Sequence, residues 1–142
     1  MPLSSDDQMA KLLNAVRIIA LVGASAKPDR PSNRVMAVLL RHGYRVIPVN
    51  PGLEGQMIHG QPVVASLAGI DESVDMVDIF RDPARAGETV DEAIEAGAGA
   101  VWMQMGVVNE DAARRAEEAG LTVVMDRCPA IEISRLGLAP VA

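Results

Sequence analysis

The chain has 142 residues, a formal net charge of −6, 49% hydrophobic residues and only three aromatic residues. This length suits one domain, and the apolar content is sufficient for a buried core of aliphatic side chains. The acidic balance and scarce aromatic residues argue against nucleic-acid binding, and no apolar run reaches the roughly 20 residues of a membrane span.

The first predicted strand is the apolar run over 17–23. It is short and stops at a glycine, which is typical of a strand buried on both faces of a sheet. A turn-rich loop follows over 24–31. We then predict a helix that is capped by Ser32 and ends near Arg41.

The second and third predicted strands cover 44–50 and 74–80. The segment between them begins with three glycines and two prolines over 51–62, a composition that predicts a loop. A short helical turn is predicted over 63–67.

Further helices and strands alternate along the rest of the chain. An acid followed by proline is typical of a helix start and predicts a helix over 82–96. Apolar runs predict strands over 100–105 and 121–125, with a helix over 109–120 between them. The tail is predicted to add a helical turn over 131–136.

This alternation predicts an α/β fold with a doubly wound, parallel sheet of five strands. Helices on both faces would give three layers, α/β/α. No linker or internal repeat interrupts the chain, so we expect residues 1–142 to form a single domain. Ligands of such sheets bind beyond the carboxyl ends of the strands, at the switch point of the strand order.

The loop after the first strand carries the main functional signal. Its sequence GASAKPDRPS lacks both the full G-x-G-x-x-G fingerprint and the G-x-x-x-x-G-K-[ST] phosphate loop. Together with the start of the next helix, it offers Lys27, Arg30 and Arg34 as cations and Ser25 and Ser32 as hydroxyl donors. We interpret it as a phosphate-binding loop; the alternative is an ordinary loop with solvated basic residues.

The end of the second strand bears on the choice of ligand. NAD-binding folds usually place an acidic residue there to bind the ribose hydroxyls. This chain has Asn50 followed by Pro51, which weakens the case for NAD. Taken alone, the pair would be interpreted as a simple turn.

Three segments carry a resemblance to a known family: GASAKPDRPSNRV, GYRVIPVNP and WMQMGVVNEDAARRAEEAGLTVVMDRCP. They resemble the small bacterial CoA-binding proteins, which are similar to the N-terminal CoA-binding domain of the succinyl-CoA synthetase alpha subunit. The resemblance spans roughly residues 10–137. It implies a Rossmann-like fold and CoA or acyl-CoA as the ligand.

The resemblance also implies a set of cofactor-binding residues that follow the strand ends. They are Gly23, Ala24, Ser25, Lys27, Arg30 and Arg34 near the phosphates, Val49, Asn50 and Pro51 in the next part of the site, Phe80 and Arg81 beside the adenosine, and Met103, Gln104 and Gly106 along the ligand's path. The synthetase pattern has a lysine shortly after the proline. Gly52 and Leu53 stand there in this chain, which puts that phosphate contact in question.

Residues with reactive side chains show no catalytic pattern. There is no G-x-S-x-G elbow, and His42 and His59 are interpreted as a helix-end residue and a solvated loop residue. The chain stops before the phosphohistidine domain of the synthetase. We therefore predict no catalytic residue and no metal site, and since Cys128 is the only cysteine, a zinc site built on cysteines is excluded.

Cys128 follows the fifth predicted strand, at the edge where a ligand would bind. Its thiol would be able to form a mixed disulfide with bound CoA and act as a redox switch. A buried, inert cysteine is the favoured interpretation.

Three functions stay open. The favoured one is a CoA or acyl-CoA binding protein, non-catalytic on its own, that acts as a carrier, sensor or regulatory partner. The others are an enzyme that uses NAD(P) or another nucleotide, and a structural oligomer component with a vestigial pocket. The expected partner is a small-molecule CoA ligand, with no nucleic acid and no membrane, and a homo-oligomer or a protein partner is open. The acidic N-terminal start lacks the basic residues of a signal peptide, so we expect a cytoplasmic protein.

Overall fold

A computed structural model describes residues 1–141 of the chain. The strands are, in chain order, β1 (Ile18–Val22), β2 (Arg45–Val49), β3 (Met57–Ile58), β4 (Gln61–Pro62), β5 (Met76–Ile79), β6 (Ala100–Met103) and β7 (Thr122–Val124). Five of them form a parallel sheet in the order β2-β1-β5-β6-β7, while β3 and β4 form a small antiparallel hairpin. The predicted five-stranded parallel sheet and Rossmann-like α/β fold are confirmed.

Within residues 1–141, five α-helices surround the main sheet. They are α1 (Asp6–Ala15), α2 (Pro31–Arg41), α3 (Pro83–Glu95), α4 (Glu110–Glu118) and α5 (Pro129–Arg135). Buried residues of α1, α2 and α5 pack on one face of the sheet, and those of α3 and α4 pack on the other. Along β6, Trp102 belongs to the first core and its neighbours Val101 and Met103 to the second, as the alternation of side chains in a strand requires. The predicted three layers are therefore present.

α1 is an element that the sequence patterns did not predict. The Ser5 hydroxyl caps it by accepting a hydrogen bond from the Gln8 N–H, at 3.2 Å. Met9 and Leu13 are fully buried in the first core. The Tyr44 hydroxyl donates to the Leu13 carbonyl, and burial raises the pKa of Tyr44 to about 12, so the hydroxyl keeps its proton at neutral pH.

The outer strands of the sheet have further backbone neighbours. Beside β7, the N–H of Leu3 donates to the Val123 carbonyl at 2.8 Å. Beside β2, Val64 forms a parallel bridge with Val49, and its N–H donates to the Pro48 carbonyl at 3.0 Å.

Two predictions between β2 and β5 were wrong. The helical turn expected over 63–67 lies further along, at Leu67–Gly69, because Val64 pairs with β2 instead. The segment 51–62, expected to be a loop, contains a 3-10 turn at its start and the β3–β4 hairpin.

Proline begins two helices whose starts were predicted at other residues. Ser32 does not cap α2: Arg30 occupies the cap position without a side-chain bond, Pro31 begins the helix, and Ser32 is buried within its first turn. Pro129 likewise begins α5, which starts before the turn predicted over 131–136. Proline suits this position because its missing N–H would have no partner there.

One carboxyl group is buried in the middle of the sheet. Asp78, in the central strand β5, is fully buried between Leu21 and Trp102 of the neighbouring strands in register. Neither of its carboxyl oxygens has a hydrogen-bond partner among residues 1–141. Burial raises the pKa of Asp78 well above its usual range.

None of the helices within residues 1–141 is both long enough and apolar enough to span a membrane.

Candidate functional site

A cleft of about 1040 Å³ opens beyond the carboxyl ends of β1, β5 and β6. The chain passes from β1 outward to β2 and returns to β5 on the other side of β1, so the strand order reverses at the β1/β5 boundary. Open α/β sheets bind ligands in the crevice at such a reversal. The start of α2 and the start of α5 form further parts of the wall.

The cleft brings together ten of the fourteen residues implied by the family resemblance. They are Gly23, Ala24, Ser25, Lys27, Arg30, Arg34, Asn50, Phe80, Arg81 and Gln104. The other four do not line it: Val49 and Met103 are buried beside it, whereas Pro51 and Gly106 are exposed.

Gly23 lets the ends of β1 and β5 approach each other closely. Its φ is +89°, and a Cβ atom placed there would lie 2.1 Å from the carbonyl oxygen of Phe80. The N–H of Phe80 donates to the Val22 carbonyl at 2.9 Å and holds the two strand ends together. Only glycine fits this position without movement of the backbone.

Asn50 fastens the loop between β1 and α2 (residues 23–30) to the end of β2. Its Nδ2 donates to the Ala24 carbonyl and its Oδ1 accepts from the Gly52 N–H, both at 2.8 Å. The N–H groups of Gly23 and Ala24 also donate to the Val49 carbonyl, at 3.1 and 3.3 Å. Asn50 thus has a structural task, and it presents an amide rather than a carboxylate at the end of β2.

Asn33 and His59 form a second set of hydrogen bonds that holds the β1–α2 loop, and it was not predicted from the sequence. Asn33 Nδ2 donates to the Ser25 carbonyl at 2.9 Å. His59 Nε2 lies 2.9 Å from Asn33 Oδ1 and 3.1 Å from the Asn33 carbonyl oxygen, so it donates a proton toward two acceptors. His59 is exposed, as expected of a loop residue, and its imidazole also links the β3–β4 hairpin to the first turn of α2.

Four cations line the cleft without a carboxylate partner. Within residues 1–141, Lys27, Arg30, Arg34 and Arg81 make no ion pair. Six arginines elsewhere each contact a carboxylate: Arg45, Arg85, Arg114, Arg115, Arg127 and Arg135.

The start of α2 adds to the positive potential of these cations. No side chain caps this helix end, and the partial positive charge of its N–H groups faces the same cleft as Arg30 and Arg34. Asp82 is an acid in the cleft lining, and its Oδ1 accepts from the Arg85 N–H at the start of α3. The cleft is therefore suited to an anionic ligand with several negative charges.

A different part of the cleft wall is apolar. Met105 and Val107 contribute from the segment after β6, and Ala130 and Ile131 from α5, next to Cys128. The α5 contribution was not predicted from the sequence, where only a later helical turn was expected in the tail. The proline at position 129 was the signal that could have located the start of α5.

Gln104 is, with Ser32, one of two buried polar residues of the cleft lining. It is 7% exposed, and its Oε1 has no hydrogen-bond partner within the part of the chain described. Its backbone is held on both sides, because its N–H donates to the Ile79 carbonyl at 3.2 Å and its carbonyl accepts from Val107 at 2.8 Å. The backbone of Gln104 is thus fixed beside the cleft, and its side-chain oxygen is an unused acceptor.

The segment that carries Cys128 is anchored by an ion-pair cluster. Glu132 accepts hydrogen bonds from Arg135 and Arg127, each at 3.0 Å, and Arg135 also contacts Asp6 of α1 at 2.7 Å. These bonds, chiefly that from Arg135, lower the pKa of Glu132. Arg127 is therefore engaged by a carboxylate rather than free beside Cys128, whose own side chain is buried.

In residues 1–141 no three His, Cys, Asp or Glu side chains cluster in a way that could hold a metal ion.

One protein family matches most of the chain. The sequence model described as the CoA binding domain matches residues 17–134. Protein YneT of Bacillus subtilis (strain 168) is 37% identical over 124 residues, which is 87% of this chain and 90% of that protein.

Solved structures share the fold. A hypothetical protein from Pyrococcus horikoshii OT3 is 40% identical with a TM-score of 0.90, and the alignment covers 97% of both chains. A protein from Thermus thermophilus is 37% identical with a TM-score of 0.89, over 94% of this chain and 99% of that chain. The dinucleotide-forming acetyl-coenzyme A synthetase 1 of Ca. Korarchaeum cryptofilum is 23% identical with a TM-score of 0.72, over 86% of this chain and 28% of the synthetase, and shares the fold alone.

Proposed function

This chain belongs to the CoA binding domain family, and on that premise we propose that its cleft binds CoA or an acyl-CoA. CoA carries a pyrophosphate and a 3′-phosphate, so a site for it must neutralise several negative charges. The residues present fit this ligand, because the cleft combines cations with an uncapped helix start and an unused amide acceptor.

The observation that carries the proposal is the distribution of ion pairs. In a protein of net charge −6, six of the eight arginines away from the cleft contact carboxylates, all except Arg17 and Arg41, whereas the four cations of the cleft lining have no such partner within residues 1–141. Unpaired cations that converge on one concave site favour binding of a polyanionic small molecule.

Asn50 supports CoA over NAD as the ligand. NAD sites of this fold class use a carboxylate at the end of the second strand to bind the ribose hydroxyls. Here the side chain is an amide whose donor and acceptor are already used on the backbone of Ala24 and Gly52. A ribose would find no carboxylate there, and the Asn50 amide already uses one N–H and one oxygen lone pair on the backbone.

We further propose that the protein acts as a carrier, sensor or regulatory partner and has no chemistry of its own. Neither histidine lines the cleft: His42 is buried at the end of α2, and the His59 imidazole is bonded to Asn33. Of the other titratable groups in the lining, Asp82 accepts a hydrogen bond from the Arg85 N–H, Cys128 is buried, and Lys27 is assigned to the phosphates. A general acid or base would have to lie within reach of the reacting atoms.

Titration calorimetry of charge-reversal variants tests the proposal. We expect the wild-type protein to bind CoA and to bind NAD and NADP at least about tenfold more weakly. Lys27→Glu and Arg30→Glu should each weaken CoA binding by about tenfold or more, because each turns an attraction to phosphate into a repulsion.

Arg41→Glu is the matched control for the change in net charge. Arg41 lies at the other end of α2, is exposed and does not line the cleft, so its reversal should leave the affinity within about twofold. If CoA binds equally well to all three variants, or does not bind to the wild-type protein, the proposed site is wrong.

A further inference from the structure

The apolar part of the cleft wall is unusually exposed for a protein with an otherwise well-buried core. Only five large hydrophobic residues are exposed within residues 1–141, and two of them line the cleft. Met105 is 59% exposed and Ile131 is 49% exposed. Apolar surface next to a charged ligand site often marks a place that the ligand itself covers.

Acyl-CoA has a charged end and an apolar end, which match the charged and the apolar parts of the cleft lining. Its phosphates lie at one end, two amide groups lie along the pantetheine arm, and the thiol that carries an acyl group lies at the far end. Cations of the β1–α2 loop suit the first part. The wall formed by Met105, Val107 and Ile131 has no charge to offer and suits the opposite end of the molecule.

The unused oxygen of Gln104 is an independent sign that a ligand with an N–H group belongs in the cleft. A buried acceptor without a partner costs free energy, so most such groups in native proteins have one. Gln104 is more than nine-tenths buried and lines the cleft, and no group in residues 1–141 supplies the donor that its Oε1 lacks. A rotation of this amide toward the cleft would let a bound ligand supply it. A pantetheine amide supplies this donor, whereas a phosphate does not.

We propose that the preferred ligand is an acyl-CoA with an aliphatic acyl group, which covers Met105 and Ile131, while Gln104 accepts a hydrogen bond from the pantetheine arm. This inference rests on the proposed binding of CoA. In addition, it assigns the ligand class, and it distinguishes the residues that contact the pantetheine arm and the acyl group from those that bind phosphate.

Calorimetry with CoA, acetyl-CoA and hexanoyl-CoA tests the acyl preference. Each fully buried methylene strengthens binding by up to about fourfold, which corresponds to ~0.8 kcal/mol. The two side chains are only half exposed, so we expect hexanoyl-CoA to bind about tenfold more tightly than free CoA. Ile131→Ser should remove most of this difference while free CoA keeps its affinity.

Val108→Ser is the matched control, because Val108 is 45% exposed near Met105 and does not line the cleft. It should keep the full preference for hexanoyl-CoA. If CoA binds but hexanoyl-CoA binds no more tightly, the acyl proposal is overturned while the proposed CoA site stands. If no CoA species binds, the proposed function itself fails.

A second pair of ligands tests the role of Gln104. Adenosine 3′,5′-bisphosphate has phosphates but no pantetheine arm. Gln104→Met, which keeps a side chain of similar length, should weaken CoA binding by about threefold to tenfold and leave binding of the bisphosphate unchanged. An equal loss for both ligands would mean that the variant disturbs the whole site, and equal affinities would mean that Gln104 does not contact the arm. Either result overturns this assignment.

Sedimentation of the ligand-free protein tests the other occupant of this surface, a second copy of the chain. We expect a distribution that is the same for the wild-type protein and Ile131→Ser. A dimer that dissociates in the variant would show that the apolar wall is an interface between copies, and would overturn the acyl proposal.

Discussion

Gly23 and Asn50 hold the ends of three neighbouring strands together at the cleft. Gly23 allows the backbone of β1 to reach Phe80, and Asn50 ties the end of β2 to the loop that follows β1. Both residues act through backbone atoms, so the shape of the cleft depends on positions that supply no charge to a ligand.

Replacement of Gly23 by alanine should destabilise the protein strongly. The left-handed backbone conformation alone costs a non-glycine residue about 1–2 kcal/mol. The added Cβ would in addition lie 2.1 Å from a carbonyl oxygen, which cannot move without separating β1 from β5. We expect a loss of about 3 kcal/mol or more in the free energy of unfolding, measured by urea denaturation.

Gly55→Ala separates the two contributions. Gly55 has a similar φ of +85°, but a Cβ there would meet no atom within 4 Å. It should therefore lose only the conformational part, about 1–2 kcal/mol. Equal losses in the two variants would show that the close approach to Phe80 is unimportant.

Residues of the site were predictable where they follow an apolar strand directly. Gly23 and Asn50 do so, and their positions in the fold follow from the strands. Asn33 and His59 were not predictable, because their contact joins segments 26 residues apart through a short hairpin. The buried state of Gln104 likewise depends on packing that no local pattern encodes.

At the scale of elements, α1 is integrated into the fold although it lies outside the matched family region of 17–134. Its buried side chains fill the first core, and its last turn accepts the Tyr44 hydroxyl. Arg135 of α5 contacts Asp6 at its start. α1 therefore behaves as part of the domain rather than as an appendage.

Leu13→Ala tests this integration. Leu13 is fully buried, and truncation of a buried leucine costs about 2–5 kcal/mol because it removes apolar burial and leaves a cavity. The neighbouring Leu12→Ala is the control, since that side chain is only partly buried and should cost clearly less. Chemical denaturation measures both. A loss below about 1 kcal/mol for Leu13→Ala would mean that α1 is not part of the cooperative unit.

The elements of the sheet were predictable because buried parallel strands produce continuous apolar runs. Each end of the five predicted strands lies within two residues of the observed strand end. α1 was not predicted, although Ser5 followed by two acids and the apolar spacing of Met9, Leu12 and Leu13 are typical helix signals. β3 and β4 have two residues each, too few for a periodic pattern.

At the scale of the whole molecule, pH should act on stability through Asp78. Its raised pKa means that the folded state keeps a proton that the unfolded chain releases above about pH 4. The unfolded state therefore binds fewer protons, and the free energy of unfolding falls as pH rises from about 4 toward the folded-state pKa. The expected slope from this group is about −1.4 kcal/mol per pH unit.

Asp78→Asn removes the titrating group and keeps nearly the same shape. Urea denaturation at pH 5, 6 and 7 should show a stability advantage of the variant that grows with pH. Carboxylates such as Glu132 act with the opposite sign, since their pKa is lowered and their contribution is lost only in more acidic solution. Parallel pH profiles for the wild-type protein and the variant would contradict the assignment to Asp78.

Both edge strands of the main sheet are covered by other backbone segments, which limits pairing between edge strands of different molecules. Unprotected outer strands can recruit a strand from another molecule and extend the sheet without limit. On one side of the sheet, the N–H of Leu3 donates to the Val123 carbonyl. On the other side, the N–H of Val64 donates to the Pro48 carbonyl, and Pro48 has no N–H to offer to another strand. These two flanking segments block the addition of a strand from another molecule. The resulting resistance to aggregation should last only while both segments stay in place.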